Sequence, residues 1–154
     1  MFEYALKQMS MYVQELQRRK RELFMDAKTK SRFIALYCMV LADGIIDARE
    51  LEVLYRIGRD TYGIPAEEIN NAIRESGTSF LTPGTLNEKV TLLYHLAEIA
   101  LADEDLDDSE KALLQKYALK MGFIEENAGK IADWLLEQAR QKKSLEQVLN
   151  EINN

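Results

Sequence analysis

The sequence predicts an all-α fold, a compact bundle of about seven to eight helices, on the strength of three observations. Only two prolines and seven glycines interrupt its 154 residues, so long helices are expected. Apolar residues recur at intervals of three and four along most of the chain, and no stretch alternates as a strand would. Hydrophobic residues form 47% and charged residues 30% of the composition, which is typical of a globular domain with its own core.

Residues 2–24 are predicted to form an amphipathic helix that precedes the rest of the domain. Lys20 is the one polar residue in its apolar series, which advances by alternating steps of four and three. The apolar members of the series are Phe2, Leu6, Met9, Val13, Leu16 and Leu23. Such a face packs on the body of the domain or on a partner helix. We treat 1–154 as a single domain, with 1–27 as an additional N-terminal helix.

The remaining helices are predicted from apolar segments that glycine, proline or capping residues delimit. Their expected ranges are 28–41, 47–63, 65–77, 85–101, 107–121, 125–142 and a short final helix from Ser144. Pro65 suits a first turn, where its missing N–H costs nothing. Thr85 and Glu88 have the spacing of a capping box. Asp43-Gly44 is a typical stop for the helix before it.

The two halves of the chain repeat each other with a shift of 60 residues. Residues 41–50 read LADGIIDARE and residues 101–110 read LADEDLDDSE, with Leu, Ala, both Asp and Glu identical. Each copy is a helix, an acidic turn and a helix. We therefore expect a duplicated helical hairpin with a pseudo-two-fold axis, which brings the two turns into comparable positions.

The acidic turns are candidate metal sites, because clustered oxygen ligands suit a hard divalent cation. The spacing from Asp43 to Glu50 matches the latter half of an EF-hand loop. A true EF-hand is excluded, since Met39 and Leu41 stand where its first ligands belong and Glu104 replaces the required glycine of the second copy. A site that draws carboxylates from both turns is the stronger form of the hypothesis. Its candidate ligands are Asp43, Asp47, Glu50, Asp103, Asp107 and Glu110.

Helix capping is the alternative interpretation of the same residues. Asp47 and Asp107 can cap the helices that follow, with the glutamates three residues later reaching back. Capping does not explain Asp43 and Asp103, which stand at helix C-termini, where the macrodipole disfavours an anion. On the residues alone, both interpretations stay open.

The element Ala-Asp-Gly-x-Ile-Asp-x-x-Glu, repeated about sixty residues later between helices, resembles the TerB family of tellurite-resistance-type proteins. This family is related to the N-terminal domain of the co-chaperone DjlA. The resemblance covers roughly Ser31 to Leu149 and departs at Glu104, with Asp105 and Asp108 as additional acids. It implies a compact helical domain whose acidic residues bind a divalent cation. It also implies work in stress-response systems, often beside calcium-binding partners and near the membrane.

The formal net charge of −6 is unevenly distributed. Residues 1–32 have a charge of +4 and the remainder −10, which excludes nucleic acid as a ligand of the main body. The basic group Arg18, Arg19, Lys20 and Arg21 is either a solvated helix end or a contact to acidic lipid head groups or a neighbouring acidic turn. The single cysteine and the lack of a signal-peptide pattern lead us to expect a cytoplasmic protein.

No catalytic constellation accompanies the acids. His95 is the single histidine, so His95-x-x-Glu98 cannot build a di-iron site, and Cys38 has no activating neighbour in sequence. We expect a non-catalytic domain that binds calcium, magnesium or manganese, uses no organic cofactor and contacts a protein partner. The alternative is a purely structural helical adaptor, or a self-associating homo-oligomer, whose acidic turns are helix caps.

Overall fold

The computed structural model describes residues 1–22, 25–75 and 80–154, with the backbone alone for residues 17–22. It confirms the predicted all-α class, because the described residues form eight helices and no strand. The helices are α1 Phe2–Glu22, α2 Ala27–Val40, α3 Ala48–Tyr62, α4 Ala66–Arg74, α5 Leu86–Ala100, α6 Asp108–Lys120, α7 Glu125–Arg140 and α8 Leu145–Asn153. The predicted basic group Arg18, Arg19, Lys20 and Arg21 lies outside the described side chains.

The centre of the bundle is α5. It packs against α2, α3, α6, α7 and α8, and every side chain from Leu92 to Ala97 is buried. A helix surrounded on all sides needs apolar residues on all faces, which explains why α5 lacks a polar stripe. Tyr94 is the largest fully buried side chain among the described residues. Its hydroxyl donates to the carbonyl oxygen of Lys143 at 2.5 Å, and the carbonyl oxygen of Gln138 lies farther away, at 3.4 Å.

The duplicated hairpin is visible in the backbone of the two acidic turns. After α2, the Gly44 amide donates to Leu41 O at 2.9 Å, and after α5 the Glu104 amide donates to Leu101 O at 3.0 Å. Gly44 and Glu104 both adopt left-handed conformations, with φ of 81° and 65°. The two turns therefore have the same geometry, although one uses glycine and the other a residue with a side chain.

The second helix of each hairpin also ends alike. Gly63 after α3 and Gly122 after α6 have positive φ, as expected for a helix that stops in a left-handed residue. The following amides also donate back to the helix: Ile64 N to Gly58 O, six residues back, at 2.9 Å, and Phe123 N to Ala118 O, five residues back, at 3.2 Å. The repeat thus extends well beyond the acidic turns.

Helix α1 stands apart from this bundle. None of the main helix–helix interfaces in the described part of the chain includes it. Its side chains from residues 1–16 are exposed, except for a half-buried Glu15. The described side chains of α1 therefore do not pack on the body of the domain, and packing on a partner helix stays a prediction. Among the described helices, none has the length and apolar content to cross a membrane.

Candidate metal centre

Asp47 and Asp107 are the N-caps of α3 and α6. The Asp47 Oδ1 accepts from the Arg49 amide at 2.7 Å, and the Asp107 Oδ1 accepts from the Ser109 amide at 2.7 Å. The Arg49 side chain and the Ser109 hydroxyl also donate to these carboxylates, and together these bonds hold the pKa of both aspartates below its usual range. Both side chains are thus ionised caps, as the capping interpretation expects.

Asp43 and Asp103 close the turns that precede the caps. The Asp43 Oδ1 accepts from the Ile45 amide at 3.0 Å, and the Asp103 Oδ1 accepts from the Asp105 amide at 3.1 Å. This is the local side-chain-to-backbone bond by which aspartate stabilises turns. It gives each residue a structural role that capping did not supply.

Glu50 and Glu110 occupy the first turns of α3 and α6 and are both 1% exposed. The Glu110 Oε1 accepts from the Asp107 amide at 3.4 Å and completes a capping box. Glu50 makes no such bond. When both groups are ionised, neither Glu50 oxygen nor the Oε2 of Glu110 has a hydrogen-bond donor, whereas a proton on one of them allows a hydrogen bond between the two carboxyl groups. The reciprocal bond expected from Glu50 is therefore absent, because its carboxylate is turned into the interior instead.

Glu50, Asp103 and Glu110 come together at one place. Each offers a carboxylate oxygen, and these oxygens all lie within 4.8 Å of one another. One calcium ion with bonds of about 2.3–2.6 Å can span such a group. Among the described side chains, those of residues 1–16, 25–75 and 80–154, it is the one group of His, Cys, Asp or Glu with this spacing. The cluster can hold a metal ion.

The cluster joins the two repeats. Glu50 comes from the first copy of the element, whereas Asp103 and Glu110 come from the second. Of the six candidate ligands, the structure brings these three together. Asp47 and Asp107 lie outside the group as caps. The geometry thus corresponds to one shared site rather than one site in each turn.

Carboxylates dominate the electrostatics of the cluster, and the Arg49 guanidinium lies close enough to Asp103 for the two charges to attract each other without forming an ion pair. Burial raises the pKa of Glu50, and the neighbouring Glu110, Asp103 and Asp43 raise it further. Burial also raises the pKa of Glu110, with Asp103 and Asp43 adding to the effect against a lowering contribution from Glu50. Among the described ion pairs, none joins a Lys or Arg to Glu50, Asp103 or Glu110. Without a cation, Glu50 and Glu110 are best accommodated by sharing a proton.

The sequence pointed to Asp43 and Asp103 as metal ligands, because helix capping did not explain them. In the structure, Glu50 is the residue whose carboxyl group has no role in a local turn or cap. The sequence does contain an indication that these two glutamates are buried. Glu50 lies four residues before Leu54, and Glu110 four residues before Leu114, so each glutamate is in phase with a buried position of its helix. A glutamate on the apolar face of a helix therefore indicates a buried site more strongly than an aspartate in the turn before that helix.

The histidine on α5 is not part of the cluster. His95 is 3% exposed and lies edge-on to Tyr62, with ring centroids 6.3 Å apart. Burial, Arg32 and Arg56 lower its pKa to about 4, so it is a neutral core residue. Glu98 pairs with Arg56 at 3.3 Å, which removes it as a partner for His95.

Comparison of the chain with protein-family models, curated proteins and solved structures finds no match. The resemblance to the TerB family therefore stays an expectation that rests on the repeated acidic element. The chemistry of the cluster is the remaining guide to function, and it is that of three carboxylates whose oxygens lie within 4.8 Å of one another.

Proposed function

We propose that this chain is a non-catalytic interaction domain that responds to a divalent cation bound by Glu50, Asp103 and Glu110. The observation that carries the proposal is Glu50, which is 1% exposed and has no hydrogen-bond donor for its carboxylate other than a protonated Glu110. An ionised carboxylate in this state costs several kcal/mol unless it is paired or coordinates a metal. A divalent cation supplies the missing charge and bonds to both orphaned glutamates at once.

Calcium fits the donor set best among calcium, magnesium and manganese. All three cluster ligands are carboxylates, which suits hard cations and requires no organic cofactor. Calcium accepts six to eight oxygens in irregular geometry, so carboxylates that share both oxygens, together with water, can complete its shell. Magnesium demands near-octahedral geometry and gives up its waters reluctantly.

The response would be mechanical and local. Neutralising the cluster removes the repulsion between the first turns of α3 and α6, which fixes the two hairpins relative to each other. Ile45 and Ile46 lie beside the first turn and are 69% and 54% exposed. A protein partner that contacts these side chains would detect whether the hairpins are fixed. In the cytoplasmic, stress-response setting that the TerB resemblance implies, calcium occupancy would thereby control assembly.

A purely structural adaptor is the second candidate, and the N-caps favour it. Asp47, Asp107, Asp43 and Asp103 all have local hydrogen bonds that stabilise turns and helix starts without an ion. In this alternative, Glu50 and Glu110 are simply a protonated pair. The two candidates therefore differ in one respect, whether a cation displaces that proton.

Calcium titration followed by NMR distinguishes the two candidates. We expect backbone shifts at both acidic turns in the wild type, and loss of these shifts in Glu50→Gln. Glu52→Gln is the matched control, because Glu52 is an exposed glutamate two residues away on the same helix and should leave the titration unchanged. If wild-type turns show no shifts up to millimolar calcium, magnesium or manganese, the adaptor is the correct function.

A further inference from the structure

Arg49 places a positive charge in the first turn of α3, immediately before Glu50 of the cluster. The N-terminus of a helix has a partial positive charge, so a cation in the first turn is disfavoured. The equivalent residue of the second repeat is the uncharged Ser109. Both side chains donate a hydrogen bond to the aspartate that caps their helix, so capping requires no charge at this position. The charge of Arg49 therefore needs an explanation of its own.

The start of α3 lies against the acidic turn of the second repeat. Glu50, the residue after Arg49, has a carboxylate oxygen within 4.8 Å of one from Asp103. Arg49 also lines a cleft of about 720 Å³ together with Ala102, the residue that precedes Asp103. Its side chain is 62% exposed. Arg49 therefore stands at the solvent-facing rim of the cluster, between the two repeats.

Carboxylates of both repeats attract the Arg49 guanidinium. Its Nη2 lies 3.1 Å from Asp47 Oδ2, and its Nε lies 3.3 Å from Asp47 Oδ1. This pair raises the pKa of Arg49, and the charges of Asp103 and Glu104 raise it further. Attraction between charges extends beyond the distance of an ion pair and weakens with separation and with salt. The guanidinium thus supplies part of the positive charge that the cluster lacks.

We propose that Arg49 is a tethered counter-charge of the cluster and lowers the affinity of the site for a divalent cation by competing with it. The inference rests on the proposed function, because it concerns the same three ligands. In the ion-free protein, the guanidinium partly offsets the charge of Asp103. An ion bound among the carboxylates repels the guanidinium, so binding forfeits part of this attraction.

The role assigned to Arg49 is to tune the site and not to coordinate the ion. A guanidinium has five N–H donors and no acceptor, so it cannot be a metal ligand. Calcium sites differ in affinity through the number of charges on their ligands. Arg49 offsets one such charge without removing an oxygen, so the coordinating atoms stay the same while the ion binds less tightly. A weaker site responds to changes in ion concentration that would leave a tighter site fully occupied.

Calorimetric titration with calcium of the full chain at low salt tests the competition. Arg49→Gln removes the charge and keeps a side chain that can donate to Asp47. We expect its dissociation constant to fall by roughly three- to tenfold, the order of effect of a unit charge several ångström from a divalent ion. Added salt should reduce the difference, because exposed charges are screened.

Arg59→Gln is the matched control for this titration. Arg59 lies on the same helix, lines the same cleft, is 70% exposed and pairs with Asp60 at 3.1 Å. It changes the net charge of the protein as Arg49→Gln does, but it lies ten residues farther along, about 15 Å from Arg49. The control should keep the wild-type dissociation constant.

A double-mutant cycle in a chelator tests the attraction between Arg49 and Asp103 without any ion. Asp103→Asn removes the charge, and the asparagine keeps an oxygen that can accept from the Asp105 amide, as Asp103 does. Arg49→Gln should lower the urea midpoint more in the wild type than in the Asp103→Asn background, because only the wild type loses the attraction. The difference should shrink as salt is added.

The outcomes separate this inference from the proposed function. The inference alone is overturned if calcium binds the wild type and binds Arg49→Gln equally or more weakly. It is also overturned alone if Arg59→Gln tightens binding as much as Arg49→Gln does, or if the loss of stability in the chelator is the same in both backgrounds. Absence of binding in both the wild type and Arg49→Gln would overturn the proposed function, and the inference with it.

Discussion

Glu50 and Glu110 are equivalent in the repeat but differ in their hydrogen bonds. Glu110 keeps one long bond to the Asp107 amide, at 3.4 Å, whereas Glu50 has none. Both helices are capped alike by Asp47 and Asp107, so the start of α3 is capped without a bond from Glu50. Glu50 makes no hydrogen bond that caps its own helix, so its carboxyl group is available to the cluster alone.

Glu50→Gln should separate stability from cation binding. The amide removes a buried ionisable group and can donate a hydrogen bond to Glu110, so the free energy of unfolding in a chelator should rise by about 1 kcal/mol. Calcium should stabilise the wild type and not the variant, since an ion stabilises a fold only by binding to it. Urea denaturation with and without calcium measures both effects. A variant that is less stable and still gains stability from calcium would contradict this role.

The raised pKa values of Glu50 and Glu110 give a signed pH dependence. The folded state binds more protons than the unfolded state above the ordinary glutamate pKa of about 4.3, so their contribution to stability is present below that pH and is lost as the pH rises through the folded values. In a chelator, the wild type should lose stability relative to Glu50→Gln with Glu110→Gln between about pH 5 and 8. Thermal unfolding across this range measures the difference, and a flat difference would show that neither group is perturbed.

At the scale of the elements, backbone strain in the two acidic turns can be tested by opposite substitutions at the equivalent positions Gly44 and Glu104. Gly44 and Glu104 hold the same left-handed position, and a side chain there costs roughly 1–2 kcal/mol relative to glycine. No atom lies within 4 Å of a Cβ built on Gly44, so only backbone strain is tested. Glu104→Gly should stabilise the protein by up to about 1 kcal/mol, and Gly44→Ala should destabilise it by a similar amount. Chemical denaturation in a chelator checks both; effects of the same sign would refute the equivalence of the turns.

The helices were predictable because their signals are local. The observed ends of α3, α5 and α6 lie within two residues of the predicted ones, since glycine stops and aspartate or threonine caps act within one turn. The direction of the Glu50 side chain was not predictable in this way. It depends on α6, sixty residues away, whose Glu110 it faces. The capping-box spacing predicts only a bond between Glu50 and the start of its own helix. It does not predict contact with a residue that is distant in sequence.

At the scale of the molecule, the repeat predicted that the two turns would be comparable, and their geometry shows it. It did not predict how the three carboxylates of the cluster divide between the copies, because that depends on the packing of one hairpin against the other. The apolar face of α1 is a second feature that the sequence predicts only in part. Its pattern predicts that the face packs against another surface, but not which surface that is.

The central claim is one cation shared between the two repeats, and anomalous diffraction from crystals grown with manganese or a heavier divalent ion tests it most directly. We expect a single anomalous peak per chain, bonded to Glu50, Asp103 and Glu110, and its loss in Glu50→Gln. Two peaks, one at each turn beside the caps, or no peak at saturating ion, would contradict the claim.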